Sequence, residues 1–489
     1  MVEQLIIHDH KYCQYIPSDE QAFKKVKKLL SFRLKGVEYT AAYKNGWHGI
    51  NYLISNKGTF SSGLLNTVNN YFDTNGITYT LLDKREKVQL NEPLDITNKL
   101  NDLGMVPRDY QEKIVSACFN NERGIVRACT GSGKTLCTAL IAAKLNKPTI
   151  IYVIGIDLLR QFHDLFSKLF DEKIGMIGDG HCDIQRINIA TIWTIGHALN
   201  QKHVYVDEED YDEKEDFKES NRVKILKMLQ DTRVHIIDEC HIVTCDTIKS
   251  IYKQMKPEYI YGFSGTPFRD DNSDLLIKSI LGDQIVDVSA SELIGKGILA
   301  QPYIKFIDVP SMSLSMANYQ TVYKDYVVEN PNRNALILKY TLELVEKKYT
   351  PLVLFKQIKH GRVLYELLSG SGVNCELLSG KDSLERRLEV KAMIEGGEID
   401  VVLASSIFDI GVDIPKLSGL ILCGGGISSI RVLQRVGRVI RGYKDKKHAA
   451  IVDFYDQTKF LKKHSLRRLE VYESETGFIV KKSGLMKKK

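Results

Sequence analysis

Ala128-Cys-Thr-Gly-Ser-Gly-Lys-Thr135 is the stretch that decides the fold of this 489-residue chain. An apolar run, Ile125–Ala128, precedes the loop, and a helix-length segment follows it. Glycines at 131 and 133 let the backbone curl so that successive N–H groups point at a phosphate, and the following helix adds its positive N-terminal dipole. The pattern predicts a nucleotide-binding loop between a strand and a helix, although the strict pattern has glycine at position 128.

The side chains of this loop indicate which residues would contact the nucleotide and its metal ion. Lys134 would reach the β- and γ-phosphates of ATP, and the hydroxyl of Thr135 would ligate Mg²⁺. The other loop residues expected to bind ATP are Thr130, Gly131, Ser132 and Gly133.

A second motif, Val234-His-Ile-Ile-Asp-Glu-Cys-His241, reads as an apolar strand that ends in paired carboxylates. Asp238 would lie in the Mg²⁺ shell, and Glu239 would orient and deprotonate an attacking water. The two motifs together predict hydrolysis of a nucleoside triphosphate. The competing interpretation is a metal cluster, which lacks a second Cys/His pair at zinc-finger spacing. Its ligands would be His235, Cys240, His241 and Cys245.

Apolar β runs alternate with helix-length segments from Pro107 onward, which predicts parallel sheets covered by helices on both faces. The first set of expected strands is Ile125–Ala128, Thr149–Ile154, Ile187–Ala190, Val234–Asp238 and Tyr259–Ser264. The second set is Ile304–Val309, Leu352–Phe355, Val373–Leu378, Val401–Ala404, Leu420–Cys423 and Ala449–Phe454. Two α/β domains in tandem are therefore expected.

The first ninety or so residues predict a small α+β unit, and an acidic run interrupts the first α/β domain. The expected strands of the small unit are Gln4–Ile7, Tyr39–Tyr43, Ile50–Ile54 and Thr78–Leu82. Its expected helices are Asp19–Leu30 and Ser61–Phe72, with Ser61 or Ser62 available as a cap. The acidic run, Val206–Glu219, is interpreted as a solvated insertion or, alternatively, as a flap that competes with nucleic acid.

Composition narrows the class of protein. With 43% hydrophobic residues and 11 prolines, the chain can form several cores and is not a fibrous or disordered protein. Its apolar runs are shorter than the roughly 20 residues of a membrane-spanning helix, and the N-terminus lacks a signal-peptide pattern. Nine scattered cysteines without C-x-x-C spacing indicate reduced thiols. We expect a soluble cytoplasmic protein whose net charge of +7 permits a polyanionic partner.

The loop followed by Asp-Glu-Cys-His resembles the superfamily 2 helicases and translocases, whose other motifs occur in order between roughly Pro107 and Asp456. Gln434–Arg441 contains three arginines, Arg435, Arg438 and Arg441, at positions i, i+3 and i+6, a spacing that would place guanidinium groups on neighbouring turns of one helix. The alternative interpretation is an ordinary basic helix on the protein surface. The similar segments are Pro107–Gln111, Ala190-Thr191, Ser264–Pro267, Leu352–Phe355, Ser405–Pro415 and Gln434–Arg441.

The resemblance implies roles for these residues. Gln434, Arg438 and Arg441 would act on the γ-phosphate from the second domain, so that hydrolysis depends on domain closure. Thr191 would hold a nucleic-acid phosphate. The residues implied in ATP binding are Arg108, Gln111, Gly411 and Asp413, and those implied in coupling hydrolysis to strand movement are His241, Ser264 and Thr266.

Tyr43-Lys-Asn-Gly-Trp-His-Gly49 and the Gly58-Thr-Phe60 turn resemble the N-terminal domain of UvsW-type phage recombination helicases, with His48 where an acid is usual. The resemblance implies action on branched DNA through branch migration, fork regression or removal of RNA–DNA hybrids. Trp47 would stack on an exposed base while Lys44 meets phosphate. Alternatively, Trp47 is a core residue that pins a hairpin turn.

The expected organisation has four parts and an acidic insertion at 206–219. These are a nucleic-acid-binding domain (1–95), a first RecA-like domain (96–298), a second (299–456) and a basic C-terminal helix or tail (457–489). We predict an ATP- and Mg²⁺-dependent helicase for branched or forked DNA, without a membrane or an obligate protein partner. If the chain is phage-encoded, it would act in the bacterial host cytosol. The alternatives are an RNA helicase and an ATP-gated clamp that displaces no strand.

Overall fold

The computed structural model contains two compact units, which are described separately. The first comprises Met1–Ala128 and most of the chain from Gly133 to Asp287, and the second comprises Val288–Lys489 together with Cys129–Ser132. The residues that the structure describes are 2–86, 88–199, 219–268, 273–311, 318–380, 382–405, 414–424, 428–444 and 446–483.

The first unit begins with an N-terminal module, residues 2–86, that contains a four-stranded sheet and a separate two-stranded sheet. The four-stranded sheet has the order β5-β2-β1-β6, and β3 pairs with β4 in antiparallel fashion. Its strands are β1 (Glu3–Ile7), β2 (Tyr12–Ile16), β3 (Ser31–Arg33), β4 (Ile50–Tyr52), β5 (Thr59–Ser61) and β6 (Tyr79–Asp83). Its helices are α1 (Glu20–Leu29), α2 (Ala41–Lys44) and α3 (Leu65–Thr74), with 3-10 turns at Val37–Tyr39 and Ser62–Leu64.

Two local predictions for this module are wrong. The segment Tyr39–Tyr43 is not a strand, because Thr40 caps the short helix α2 by accepting a hydrogen bond from the Tyr43 backbone N–H at 3.3 Å. A local side-chain-to-backbone bond of this kind outweighs the β propensity of two tyrosines. Ser61 precedes the 3-10 turn rather than α3, and its side chain makes no capping bond.

The remainder of the first unit is an eight-stranded sheet of order β10-β9-β11-β8-β12-β13-β7-β14. Its strands are β7 (Arg123–Ala128), β8 (Thr149–Val153), β9 (Ile174–Gly178), β10 (His181–Asp183), β11 (Ile187–Thr191), β12 (Val234–Asp238), β13 (Tyr259–Ser264) and β14 (Gln284–Val288). Its helices are α4 (Thr97–Asp102), α5 (Asp109–Phe119), α6 (Lys134–Leu145), α7 (Ile156–Leu169), α8 (Ile192–Ala198), α9 (Glu219–Asp231), α10 (Asp246–Gln254) and α11 (Asp274–Leu281), with a 3-10 helix at Cys240–Thr244.

The central strands of this sheet are parallel and buried on both faces. Every residue of β8, β11, β12 and β13 is buried, which is the pattern that a parallel sheet covered by helices requires. The predicted α/β architecture is confirmed. Because parallel strands end at the same edge, the loops after β7, β12 and β13 meet there.

The second unit contains a parallel seven-stranded sheet of order β17-β18-β16-β19-β20-β15-β21. Its strands are β15 (Gln301–Val309), β16 (Pro351–Leu354), β17 (Cys375–Leu378), β18 (Val401–Ala404), β19 (Gly419–Leu422), β20 (His448–Asp456) and β21 (Ile479–Lys482). Its helices are α12 (Ala290–Gly295), α13 (Tyr319–Val322), a π-helix (Tyr323–Val328), α14 (Pro331–Glu346), α15 (Ile358–Ser369), α16 (Leu384–Gly396), α17 (Ser429–Val439) and α18 (Lys459–Ser474).

The C-terminal segment is part of this unit rather than a free basic arm. Strand β21 pairs with β15, and Arg468 of α18 is buried. The Arg468 guanidinium donates to Asp453 at 2.8 Å and 2.9 Å, and Tyr472 donates to the same carboxylate at 2.8 Å. The basic C-terminal segment expected from the sequence therefore does not present Arg468 to a polyanionic partner.

Candidate active site

The phosphate loop lies between β7 and α6, as its sequence predicts. Gly131 and Gly133 adopt φ angles of 86° and 77°, in the left-handed region that favours glycine. A Cβ atom on Gly133 would also lie 2.5 Å from Nε2 of Gln111. Loop curvature and the close approach of Gln111 both require glycine here.

Gln111 and Arg108 lie at the start of α5, next to the phosphate loop. The Gln111 Oε1 atom accepts a hydrogen bond from the Arg108 backbone N–H at 2.9 Å. The Arg108 guanidinium donates to the Tyr110 hydroxyl at 3.1 Å. The family resemblance implied that Gln111 binds ATP, and the structure brings it beside Gly133, which follows it by 22 residues in the chain.

Lys134 and Glu239 form an ion pair at the centre of the site. The Lys134 Nζ atom lies 3.0 Å from Glu239 Oε1 and 3.9 Å from Asp238 Oδ1. Burial opposes ionisation of Glu239, but the Lys134 ammonium and His241 outweigh it and lower the pKa of this carboxyl. Glu239 is thus a carboxylate, the form that a general base requires.

The backbone of Glu239 lies at φ 52° and ψ 54°, in the left-handed region that a non-glycine residue rarely adopts. Such a conformation costs on the order of 1–3 kcal/mol and persists only where the surroundings hold it. Here the turn into the 3-10 helix Cys240–Thr244 holds the carboxylate between Lys134 and Ser264.

The coupling residues contact the other oxygen of Glu239. Ser264 Oγ donates to Glu239 Oε2 at 2.9 Å, and His241 Nδ1 lies 3.3 Å from the same oxygen. The Thr266 backbone N–H donates to Ser264 Oγ at 3.2 Å. The structure therefore joins three sequence motifs in one hydrogen-bonded chain that ends at the carboxylate expected to activate water.

Asp238 fits the role of a Mg²⁺ ligand. Its Oδ1 atom is buried, and no residue that the structure describes donates a hydrogen bond to it. Burial, opposed by Lys134, raises the pKa of this carboxyl. Carboxylate and hydroxyl oxygens are the ligands that Mg²⁺ prefers, so Asp238 and Thr135 are a suitable pair. Bound there, the ion would neutralise charge on the phosphates.

The zinc interpretation is wrong for His235. Its ring lies buried in β12, with Nδ1 3.0 Å from the Tyr152 hydroxyl and Nε2 3.3 Å from the Thr232 carbonyl. Burial lowers the pKa of His235 to about 3, so the ring is neutral. Among the residues that the structure describes, no group of three or more His, Cys, Asp or Glu side chains is arranged to hold a metal ion.

Thr191 differs from its prediction. It is the N-cap of α8, where its Oγ1 atom accepts from the Thr194 backbone N–H and lies 2.7 Å from Thr194 Oγ1. The side chain is 1% exposed, so it is not available to a phosphate in this conformation.

The arginine motif of the second unit lies at the end of a helix rather than at its start. Gln434, Arg435 and Arg438 belong to α17, which ends at Val439, whereas Arg441 forms a β-bridge with Leu299. The three arginines therefore do not share one helix. Gly411 and Asp413, expected to bind ATP, lie outside the described residues, as does nearly all of the acidic run 206–219.

Trp47 and Lys44 lie in the N-terminal module, far along the chain from the ATP site. Lys44 is exposed at the end of α2, and Trp47 is half-buried, with its backbone N–H bonded to the Ala42 carbonyl. Cations contact aromatic rings nearby: Arg33 lies 5.5 Å from the Tyr43 ring, and Lys27 lies 4.9 Å from the Tyr52 ring. Sequence reasoning missed these two pairs, because they join segments up to 25 residues apart.

Two family models match the two units. One describes the res subunit of type III restriction enzymes and matches residues 104–269, and the other describes the helicase conserved C-terminal domain and matches residues 333–443. Together they cover more than half of the chain. The chain belongs to the superfamily 2 helicases. It is a nucleic-acid helicase that hydrolyses ATP.

Similar proteins include viral helicases. The helicase is 24% identical over 514 residues to the ATP-dependent DNA helicase uvsW of Enterobacteria phage T4, with 96% of this chain and 97% of that protein covered. It is 26% identical over 398 residues to putative helicase 22 of a Sulfolobus islandicus filamentous virus, with 76% of this chain and 68% of that protein covered.

The fold of the helicase also occurs in a solved fragment of a putative HsdR subunit of a type I restriction enzyme from Vibrio vulnificus. The TM-score is 0.56 at 17% identity, with 77% of this chain and 68% of that chain covered. Within the residues that the structure describes, no helix combines the length and apolar character needed to cross a membrane.

Proposed function

We propose that this helicase uses ATP to translocate on DNA and to remodel branched or forked DNA in recombination, replication or repair. The observation that carries the proposal is the contact chain Lys134–Glu239–Ser264, which links the phosphate loop to the coupling motif. The similarity to a phage ATP-dependent DNA helicase, which extends over the N-terminal module, favours DNA as the substrate.

In the proposed mechanism, the γ-phosphate of ATP competes with Glu239 for Lys134. Loss of the 3.0 Å ion pair would release Glu239 Oε1, which could then orient and deprotonate water. Ser264 and His241 hold the second carboxylate oxygen, so movement of β13 changes the position of the base. Arg438 and Arg441 would stabilise charge on the γ-phosphate, with Gln434 beside the attacking water.

The N-terminal module offers the proposed contact surface for the branched part of the substrate. Tyr39 is 80% exposed and Tyr52 is 50% exposed. Lys27 lies over the Tyr52 ring, and Arg33 lies over the ring of Tyr43. Aromatic rings that stack on unpaired bases, together with cations that meet phosphates, bind single strands at junctions without reading sequence. We include Trp47 and Lys44 in this proposed surface.

Steady-state ATPase activity on a matched panel tests the proposal. The panel contains single-stranded DNA, linear duplex, fork, four-way junction, RNA–DNA hybrid and RNA. We expect fork and junction to stimulate turnover more than linear duplex does. Trp47→Ala should remove most of that preference, whereas Tyr365→Ala, a change to an exposed tyrosine of the second unit, should retain it.

Two other outcomes would replace the proposal. Equal stimulation by RNA and by any DNA would favour an RNA helicase, because 2′-hydroxyl contacts would then be tolerated or read. A single burst of hydrolysis without strand displacement would favour an ATP-gated clamp. Branch migration, fork regression and hybrid removal are then distinguished by gel assays on the corresponding synthetic substrates.

A further inference from the structure

Helix α11 lies between the N-terminal module and the ATP site. It follows the coupling motif in the chain, and it packs on one side against the 3-10 turn Ser62–Leu64 of the module. On another side it packs against β13 and the 3-10 helix that follows Glu239. Helix α11 therefore contacts both the N-terminal module, which is the candidate nucleic-acid-binding domain, and the segment that follows Glu239.

The module approaches the backbone of α11 without a side chain between them. A Cβ atom on Gly63 would lie 2.3 Å from the Lys278 carbonyl oxygen and 2.5 Å from that of Ser279. Real Cβ atoms do not approach backbone oxygens this closely, so only glycine permits the contact. Leu275, on the first turn of α11, packs against the apolar core of the module.

Two cations add hydrogen bonds between the module and the rest of the first unit. Lys11 Nζ donates to the carbonyls of Tyr252, Lys253 and Met255 at 2.9–3.3 Å, which occupies the C-terminal end of α10. Arg123 donates to the Ile280 carbonyl at the end of α11 at 3.1 Å and also to the His10 carbonyl of the module.

The C-terminal end of α11 also contacts the catalytic segment. A Cβ atom on Gly262 would lie 2.3 Å from Leu281 Cδ1 and 2.6 Å from Cys240 Cβ, so these three residues are in close contact. Gly262 precedes Ser264 by two residues on β13, and Cys240 directly follows Glu239. A shift of α11 therefore moves both ends of the 2.9 Å Ser264–Glu239 hydrogen bond.

We propose that the N-terminal module is a positioning element for the ATPase site, that it acts through α11, and that Gly63 is the positioning residue. Nucleic acid bound to the module would change the contacts between the module and α11. The resulting shift of α11 would change the position of Glu239. This inference deepens the proposed function and rests on it for the identity of the nucleic acid.

The test compares Gly63→Ala with Gly295→Ala, a matched control because a Cβ atom on Gly295 meets nothing within 4 Å. We expect Gly63→Ala to lower kcat with saturating forked DNA about tenfold, since ångström-scale misplacement of a catalytic group has effects of this size. The KM for ATP should stay within about twofold, because the contacts of α11 described above lead to Gly262 and Cys240, which adjoin the proposed base, rather than to the phosphate loop. The fraction of active protein is fixed by titration with a fluorescent ATP analogue.

Hydrogen exchange supplies a readout that does not depend on DNA. Peptides covering 240–244 and 260–264 should exchange faster in Gly63→Ala and in Lys11→Met, which loosens the module without adding a clash. The control should match wild type. Unchanged exchange and unchanged stimulated kcat in both folded variants would overturn the inference.

The two proposals fail in distinguishable ways. A wild-type protein that no DNA stimulates contradicts the proposed function, whereas faster exchange in the variants would still support positioning through α11. If fork DNA stimulates the wild-type protein, and Gly63→Ala and Lys11→Met both retain the stimulation and the wild-type exchange, only the positioning role is contradicted.

Discussion

Lys134 and Glu239 are paired in the structure, and this pairing sets two different expectations for their substitutions. Lys134→Ala removes the phosphate contact and leaves the buried Glu239 carboxylate without its cation, so both ATP binding and turnover should be lost. Glu239→Gln keeps a hydrogen-bond acceptor for Ser264 but cannot deprotonate water. It should bind ATP, lose about 10²–10⁴-fold in rate and remain on DNA.

Nucleotide binding, ATPase rate and DNA retention in a mobility-shift assay separate the two variants. Circular dichroism confirms that each is folded. If DNA-stimulated ATPase activity persists in both, the assignment of Lys134 and Glu239 to the chemistry is wrong.

His360 gives the second unit a defined pH dependence of stability. Its Nε2 atom lies 3.0 Å from Asn334 Oδ1, and burial, helped by the nearby Arg333 charge, lowers the pKa of His360 to about 3. The unfolded chain binds a proton below about pH 6.5, whereas the folded chain does not. The free energy of unfolding therefore falls with decreasing pH, by about 2 kcal/mol from pH 7 to pH 5 for this residue.

Urea unfolding at the two pH values checks this expectation. His360→Gln should reduce the loss of stability between pH 7 and pH 5 relative to wild type. His181→Gln, which changes an exposed histidine of the first unit, is the control and should show the wild-type loss. An identical pH dependence in His360→Gln and wild type would contradict the burial argument.

At the level of elements, the sequence predicted strands best where both faces are buried. Val234–Asp238 and Tyr259–Ser264 have the predicted bounds, because continuous apolar runs ending at chemical motifs leave little choice of boundary. The antiparallel strand β2 and the edge strands β14 and β21 were missed. Strand β21 contains only two apolar residues, and its hydrogen bonds come from β15, more than 170 residues earlier.

Charge patterns were the other source of error at this scale. Arg468 looks like a member of a basic surface in the sequence, yet Asp453 and Tyr472 bury it in a hydrogen-bonded group. The sequence predicted each motif of the candidate site, but it did not predict the hydrogen bonds that connect the motifs. The hydrogen bonds from Ser264 and His241 to one oxygen of Glu239 depend on the order of parallel strands, which local pattern does not specify.

At the level of the whole molecule, four residues proposed to act on ATP belong to one unit, and the two arginines proposed to stabilise the γ-phosphate belong to the other. Lys134, Asp238, Glu239 and Gln111 lie in the first unit, and Arg438 and Arg441 lie in the second. A fragment of residues 1–289 retains β14 complete and contains the site described here. We expect this fragment to fold, to bind a fluorescent ATP analogue and to hydrolyse ATP on the order of 10³–10⁵-fold more slowly than the full chain.

The fragment experiment needs two controls. Lys134→Ala in the fragment should abolish analogue binding, which shows that the signal comes from the phosphate loop. In the full chain, Arg438→Ala and Arg441→Ala should each reproduce most of the rate loss, whereas Arg467→Ala, which removes a surface pair with Glu470, should not. Hydrolysis by the fragment at the full-chain rate would show that one unit suffices, and it would remove the physical reason for linking ATP turnover to movement between two domains.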